Sequence, residues 1–76
     1  MKEIPGYGDL MTIEEFIGAV KVGALINYDG FGNLAMENGM SEIEVRPSYV
    51  FDKDGKITDR FSEFMKEFTH VVWFNR

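Results

Sequence analysis

The stretch NYDGFGN, residues 27–33, is the first place to look for chemistry, because glycines beside an aspartate can bare backbone N–H groups to an anion. A phosphate loop also needs a helix directly after it, whose free N–H groups and dipole hold the charge. Here LAMEN follows, and it reads as a strand. GYGD, residues 6–9, fails in the same way, with a short connection and no strand before it. Glycines on both sides of an aromatic are better explained by positive φ angles in a tight turn. Phe31 then sits at the tip of that turn, as a plug folded onto the core or as an exposed anchor for a partner.

FDKDGKI, residues 51–57, offers carboxylates at calcium-loop spacing. Calcium loops take ligands from positions 1, 3, 5, 7, 9 and 12 and need glycine at 6. With Asp52 at position 1, Lys56 falls at 5 and Ile57 replaces the glycine. With Asp52 at position 3, Gly55 falls correctly, but Val50 and Phe61 occupy the two terminal ligand positions. Neither register makes a metal site, and DKDG reads as a turn in which aspartate caps its own backbone and glycine takes the left-handed residue. His70 is the single histidine, and no serine or threonine stands at a recognised catalytic spacing from it. It reads as a strand histidine with a satisfied hydrogen bond. Glu14–Glu15 and Glu42/Glu44 read as a helix N-terminus and a solvated strand face. No enzyme activity, metal or cofactor is expected.

The elements that position these residues follow from periodicity. Residues 1–11, with Pro5, Gly6 and Gly8, read as an irregular arm whose Tyr7 folds back on the core, and residues 12–76 as one domain. Thr12 and Glu15 form a capping box, Ile13, Phe16, Ile17 and Val20 make one helical stripe, and Gly23 is the stop. From Ala24 the period changes to two. Ala24, Ile26 and Tyr28 alternate, DGFGN turns, and Leu34 and Met36 resume the alternation, predicting a hairpin. ENGM is a second turn, and SEIEVR a half-buried strand with Ile43 and Val45 inward and Glu42, Glu44 and Arg46 outward. Pro47 breaks the ladder, so Tyr49–Phe51 fall in a bent or separate strand. Phe61, Phe64, Met65 and Phe68 at helical spacing predict a short second helix, starting near Asp59 or Ser62. THVVWFN reads as an interior strand covered on both sides. The expected class is α+β: an antiparallel sheet of four or five short strands with one N-terminal helix and a second short helix packed on it.

Composition narrows the function classes. Seventy-six residues make one small core, near the lower limit of independent stability, so a homodimer is an open expectation. With no cysteine there is neither a disulfide framework nor a thiolate zinc site, which fits a reducing cytoplasm. No apolar run approaches the roughly 18–20 residues that span a bilayer, and MKEIPGYGD lacks the pattern of a signal peptide. The net charge of −5, with Lys and Arg scattered among acids, disfavours direct nucleic acid binding. The acids are too dispersed to make a strong nucleic acid mimic.

From Met11 onward, MTIEEFIGAVKVGALINYDGFGNLAM and the terminal THVVWFNR resemble small accessory proteins carried by tailed bacteriophages, in which a short helix leads to a YDGxG turn and the chain stops on an HVVWFNR-like strand. The resemblance carries no catalytic motif and transfers no residue role. It implies an accessory product of the host-takeover or anti-defence type, working in the host cytoplasm by binding and inhibiting or redirecting a host or defence protein. On the residues themselves, the expected contact surface is Phe31 with Asp29, the acidic strand face Glu42/Glu44, and Tyr7 from the arm, since an aromatic anchor with a charged rim is the usual arrangement of an interface. The rival readings are a dimeric binder of a nucleotide signal, using Tyr28, Tyr49 or Trp73, and an oligomerising module without a ligand.

Overall fold

The strand that comes last in sequence is the middle one in space. The computed structural model describes residues 2–4, 8–24, 30–36 and 38–74. Its elements are β1 (Lys2–Ile4), β2 (Gly8–Thr12), α1 (Ile13–Lys21), β3 (Gly32–Met36), β4 (Gly39–Val45), α2 (Asp59–Glu67) and β5 (His70–Trp73). The strands form one five-stranded sheet in the order β1-β2-β5-β3-β4, and every pairing is antiparallel. This is an α+β fold. Val71, Val72 and Trp73 of β5 are all buried, as an interior strand with apolar residues on both faces requires.

Both helices pack on one face of the sheet. Met11, Leu34, Val71 and Trp73 from that face join Ile13, Phe16 and Ala19 of α1 and Phe61 of α2 in a single core. Phe16 is the centre of it, with ring centroids 5.7 Å from Trp73 and 5.9 Å from Phe61. No helix among the described residues is long and apolar enough to cross a membrane.

α1 follows its local signals at both ends. Thr12 is extended, at φ −68° and ψ 160°, and closes β2 while capping α1. The Glu15 N–H donates to Thr12 Oγ1 at 3.1 Å, and the Thr12 N–H donates to Glu15 Oε1 at 3.0 Å, so two orphan donors of the first turn are satisfied reciprocally. At the other end Gly23 takes φ 69°, its N–H donates to the Val20 carbonyl, and the Ala24 N–H reaches back to that of Ala19. That is the paired bonding of a Schellman stop. Thr12→Ala is expected to cost about 1 kcal/mol, read as a lower urea midpoint by circular dichroism, with Thr12→Ser close to wild type. An unchanged midpoint in the alanine variant would mean that the β2–α1 junction is held by packing alone.

Four expectations from the sequence are corrected. Lys2–Ile4 and Gly8–Thr12 are paired strands rather than an irregular arm, because Met11 is needed in the core and draws its strand alongside β5. Ala24 is not in a strand, and the rest of the alternation expected before the first turn, residues 25–29, lies outside the described residues. Ile43 is 37% exposed instead of inward. The register of β3 against β4 shifts between Asn33 and Ala35, so Ser41, Glu42 and Ile43 stand opposite the single Leu34, and in this bulge Ile43 is not packed against a partner residue of its own. Finally, Pro47–Tyr49 form a 3₁₀ turn, and Phe51 makes only an isolated bridge to Ile57. Pro47 supplies the fixed φ that starts such a turn and lacks the N–H a strand would use.

Candidate partner-binding surface

Residues directly opposite in antiparallel strands share a face, so the registers define what lies on the side of the sheet away from the helices. Glu44, Asn33, Val72 and Leu10 form one row across β4, β3, β5 and β2. Next to it, Phe31 precedes Asn33 by two positions and Phe74 follows Val72 by two. The Phe74 N–H donates to the Phe31 carbonyl, and their rings lie 5.1 Å apart. Phe31 is half-buried. It is neither a core plug nor a turn tip, because the strand already begins at Gly32 and the chain is paired on to Phe31.

Gly32 corrects the reading of the flanking glycines as turn residues. It lies in the sheet opposite both Val45 and Trp73, without a positive φ. Its reason is close approach: a Cβ there would come 2.7 Å from Val71 Cγ1 and 2.9 Å from the Val72 carbonyl oxygen.

Arg46 completes the cluster. Its guanidinium lies 5.8 Å from the centre of the Phe31 ring, and its Nη2 is 2.6 Å from Glu44 Oε1. The two side chains are 37% and 44% exposed, so their ion pair adds no more than about 1 kcal/mol to the fold, and the cation–π contact about the same. What the arrangement does is hold an aromatic, a guanidinium and a carboxylate in fixed relation at the surface. Such pre-ordering lowers the entropy cost of binding.

Of the residues expected from sequence, Phe31 and Glu44 are brought together, and Glu42 is exposed in the neighbouring bulge. Tyr7 and Asp29 lie outside the described residues. Sequence reasoning missed Arg46 and Phe74. Arg46 was legible only as an outward residue near the end of its strand, and no local pattern says that Phe74 pairs with Phe31, forty-three positions earlier.

The other sites considered from sequence resolve into local structure. Asp52 Oδ1 accepts the N–H groups of Asp54 at 2.8 Å and Lys56 at 3.0 Å, and Gly55 takes φ 79°, so DKDG is the aspartate-capped turn. His70 Nδ1 lies 2.8 Å from Thr69 Oγ1, an engaged strand histidine. Among the described residues no three His, Asp or Glu gather to hold a metal ion. A cleft of about 290 Å³ opens between Thr12–Glu14 and Met65–Thr69, on the helix side of the molecule.

No family model, no curated protein and no solved structure matches this chain.

Proposed function

We propose that the chain is a non-enzymatic binding protein that contacts a protein partner through the β3–β4 side of the sheet, with Phe31 as its aromatic anchor and Glu44, Glu42 and Arg46 as its charged rim. The observation that carries this reading is the Phe74–Phe31–Arg46–Glu44 cluster, a half-buried aromatic ordered by charge at the surface and on the face opposite the helices. The likeness to phage accessory proteins gives the reading its setting: a host or defence protein, bound and inhibited or redirected in the host cell. Asp29 and Tyr7, which the sequence reading adds to the contact residues, lie outside the described residues.

The test is capture of partners from bacterial lysate by tagged wild type, with Phe31→Ala and Val22→Ala run beside it. Val22 is 76% exposed at the end of α1, outside the cluster, and serves as the control for a lost exposed apolar side chain. Phe31→Ala is expected to weaken the captured complex by roughly 1–3 kcal/mol, about 5–150-fold in Kd, with native circular dichroism, while Val22→Ala retains the partner. A folded Phe31→Ala protein that keeps the partner at wild-type affinity would remove Phe31 from the interface and the proposal with it.

A further inference from the structure

β4 ends the sheet, with β3 as its strand neighbour in the described structure, so one side of a seven-residue strand has no described strand beside it. An edge of this kind is a template for another strand, and its side chains decide which strand. Met40, opposite Ala35, and Glu44, opposite Asn33, share the face away from the helices, and Glu42 lies between them in the bulge. Met40 is 41% exposed, and both glutamates are exposed.

A second copy of the chain is a poor occupant. Two-fold antiparallel pairing joins residue i to a residue of matching parity, because residues directly opposite must share a face. The register that pairs all of β4 sets Glu42 against Glu42 of the other copy. The register centred on Ile43 sets Glu42 against Glu44 twice. Centring on Ser41 instead opposes Met40 with Glu42. Like charges directly opposite are destabilising, and the net charge of −5 opposes approach of two copies at longer range.

Resting on the reading of this hairpin as a partner surface, we infer that β4 accepts an extended basic segment of another protein, which adds as an antiparallel sixth strand and reads basic-x-basic-x-apolar. Its N-terminal basic residue stands opposite Glu44, its second opposite Glu42 and its apolar residue opposite Met40. The charge pattern that repels a second copy thus selects a partner of opposite sign, chiefly through Glu42, since Glu44 already pairs with Arg46. The bulge limits the pairing to a short segment, and Ser41 Oγ already accepts the Ile43 N–H at 3.1 Å, so a long neutral strand gains less here than a short basic one.

The probes are two synthetic peptides, threonine-spaced, one with Lys, Lys and Val at the alternate positions and one with Glu, Glu and Val. Amide hydrogen exchange of the full chain reads where each binds. The lysine peptide is expected to slow exchange across Gly39–Val45 and to bind at least tenfold more tightly than the glutamate peptide. Glu42→Lys is expected to reverse that preference, with Glu42→Gln, which keeps the shape, only reducing it. Equal binding of both peptides, or protection confined to the helices, would overturn the inference. So would capture of a lysate partner that depends on Phe31 while β4 exchange stays unchanged in the complex, and that result would leave the proposed function standing.

Discussion

Gly32→Ala is expected to destabilise the protein by about 2–3 kcal/mol and Gly8→Ala by more, whereas Gly18→Ala is expected to stabilise it by about 0.5–1 kcal/mol. The three glycines differ in what a methyl group would meet. At Gly32 the new carbon would lie 2.9 Å from the backbone oxygen of Val72 and 2.7 Å from a methyl of Val71, a side chain with no exposure and no room to turn aside. At Gly8 it would lie 2.0 Å from the backbone oxygen of Trp73, so the two strands must part. Both contacts fall on β5, one from each flanking strand, and relieving either means loosening the central ladder of the sheet. Gly18 lies exposed in α1 with nothing within 4 Å, and there alanine only reduces the freedom of the unfolded chain and favours the helix. Urea unfolding followed by the fluorescence of Trp73, the single tryptophan, orders the three variants. Gly32→Ala within about 0.5 kcal/mol of wild type would refute the close approach of β3 to β5.

The glycines also show where the sequence was legible. Gly23 and Gly55 were read correctly because their function is local, a helix stop and a turn, each announced by the residues beside it. Gly8 and Gly32 were misread because theirs is to let a distant strand come near, and nothing within ten residues of either reports the position of Trp73 or Val71. The same division runs through the fold. α1 and α2 could be read from period and terminal signals and β5 from its run of β-branched and aromatic residues; α2 begins at Asp59 as expected, capped by Thr58, whose hydroxyl accepts the Phe61 N–H. β1 and β2 could not, since strands of three and five residues in a stretch with Pro5, Gly6 and Gly8 show no clear period and gain their meaning from pairing. In the candidate site, Phe31 was visible as an aromatic between two glycines and Glu44 as an outward charge on an alternating strand. The register that adds Arg46 and Phe74 to them is a tertiary property.

Phe16→Ala is expected to cost about 3–5 kcal/mol and to leave a marginally stable native state. Phe16 has no exposed surface and touches both things that the core must join, the sheet through Trp73 and the second helix through Phe61. Removing the ring leaves a cavity between three elements that are each too short to stand alone, with nine residues in either helix and four in β5. A domain of this length has a total stability of about 4–11 kcal/mol, so the loss takes a large part of it. The measurement is the same urea titration, read by Trp73 fluorescence and by far-ultraviolet circular dichroism together. A native-like midpoint would mean that α1 is not what closes this core. Set beside Phe31→Ala, the variant separates the two faces of the sheet: loss of the helix-side aromatic lowers stability and binding together, whereas loss of the aromatic on the other side lowers binding in a protein whose unfolding midpoint stays near wild type. Equal loss of stability in both variants would make the Phe31–Phe74 pair a second structural core and leave the charged rim of Glu42, Glu44 and Arg46 to carry the proposed binding.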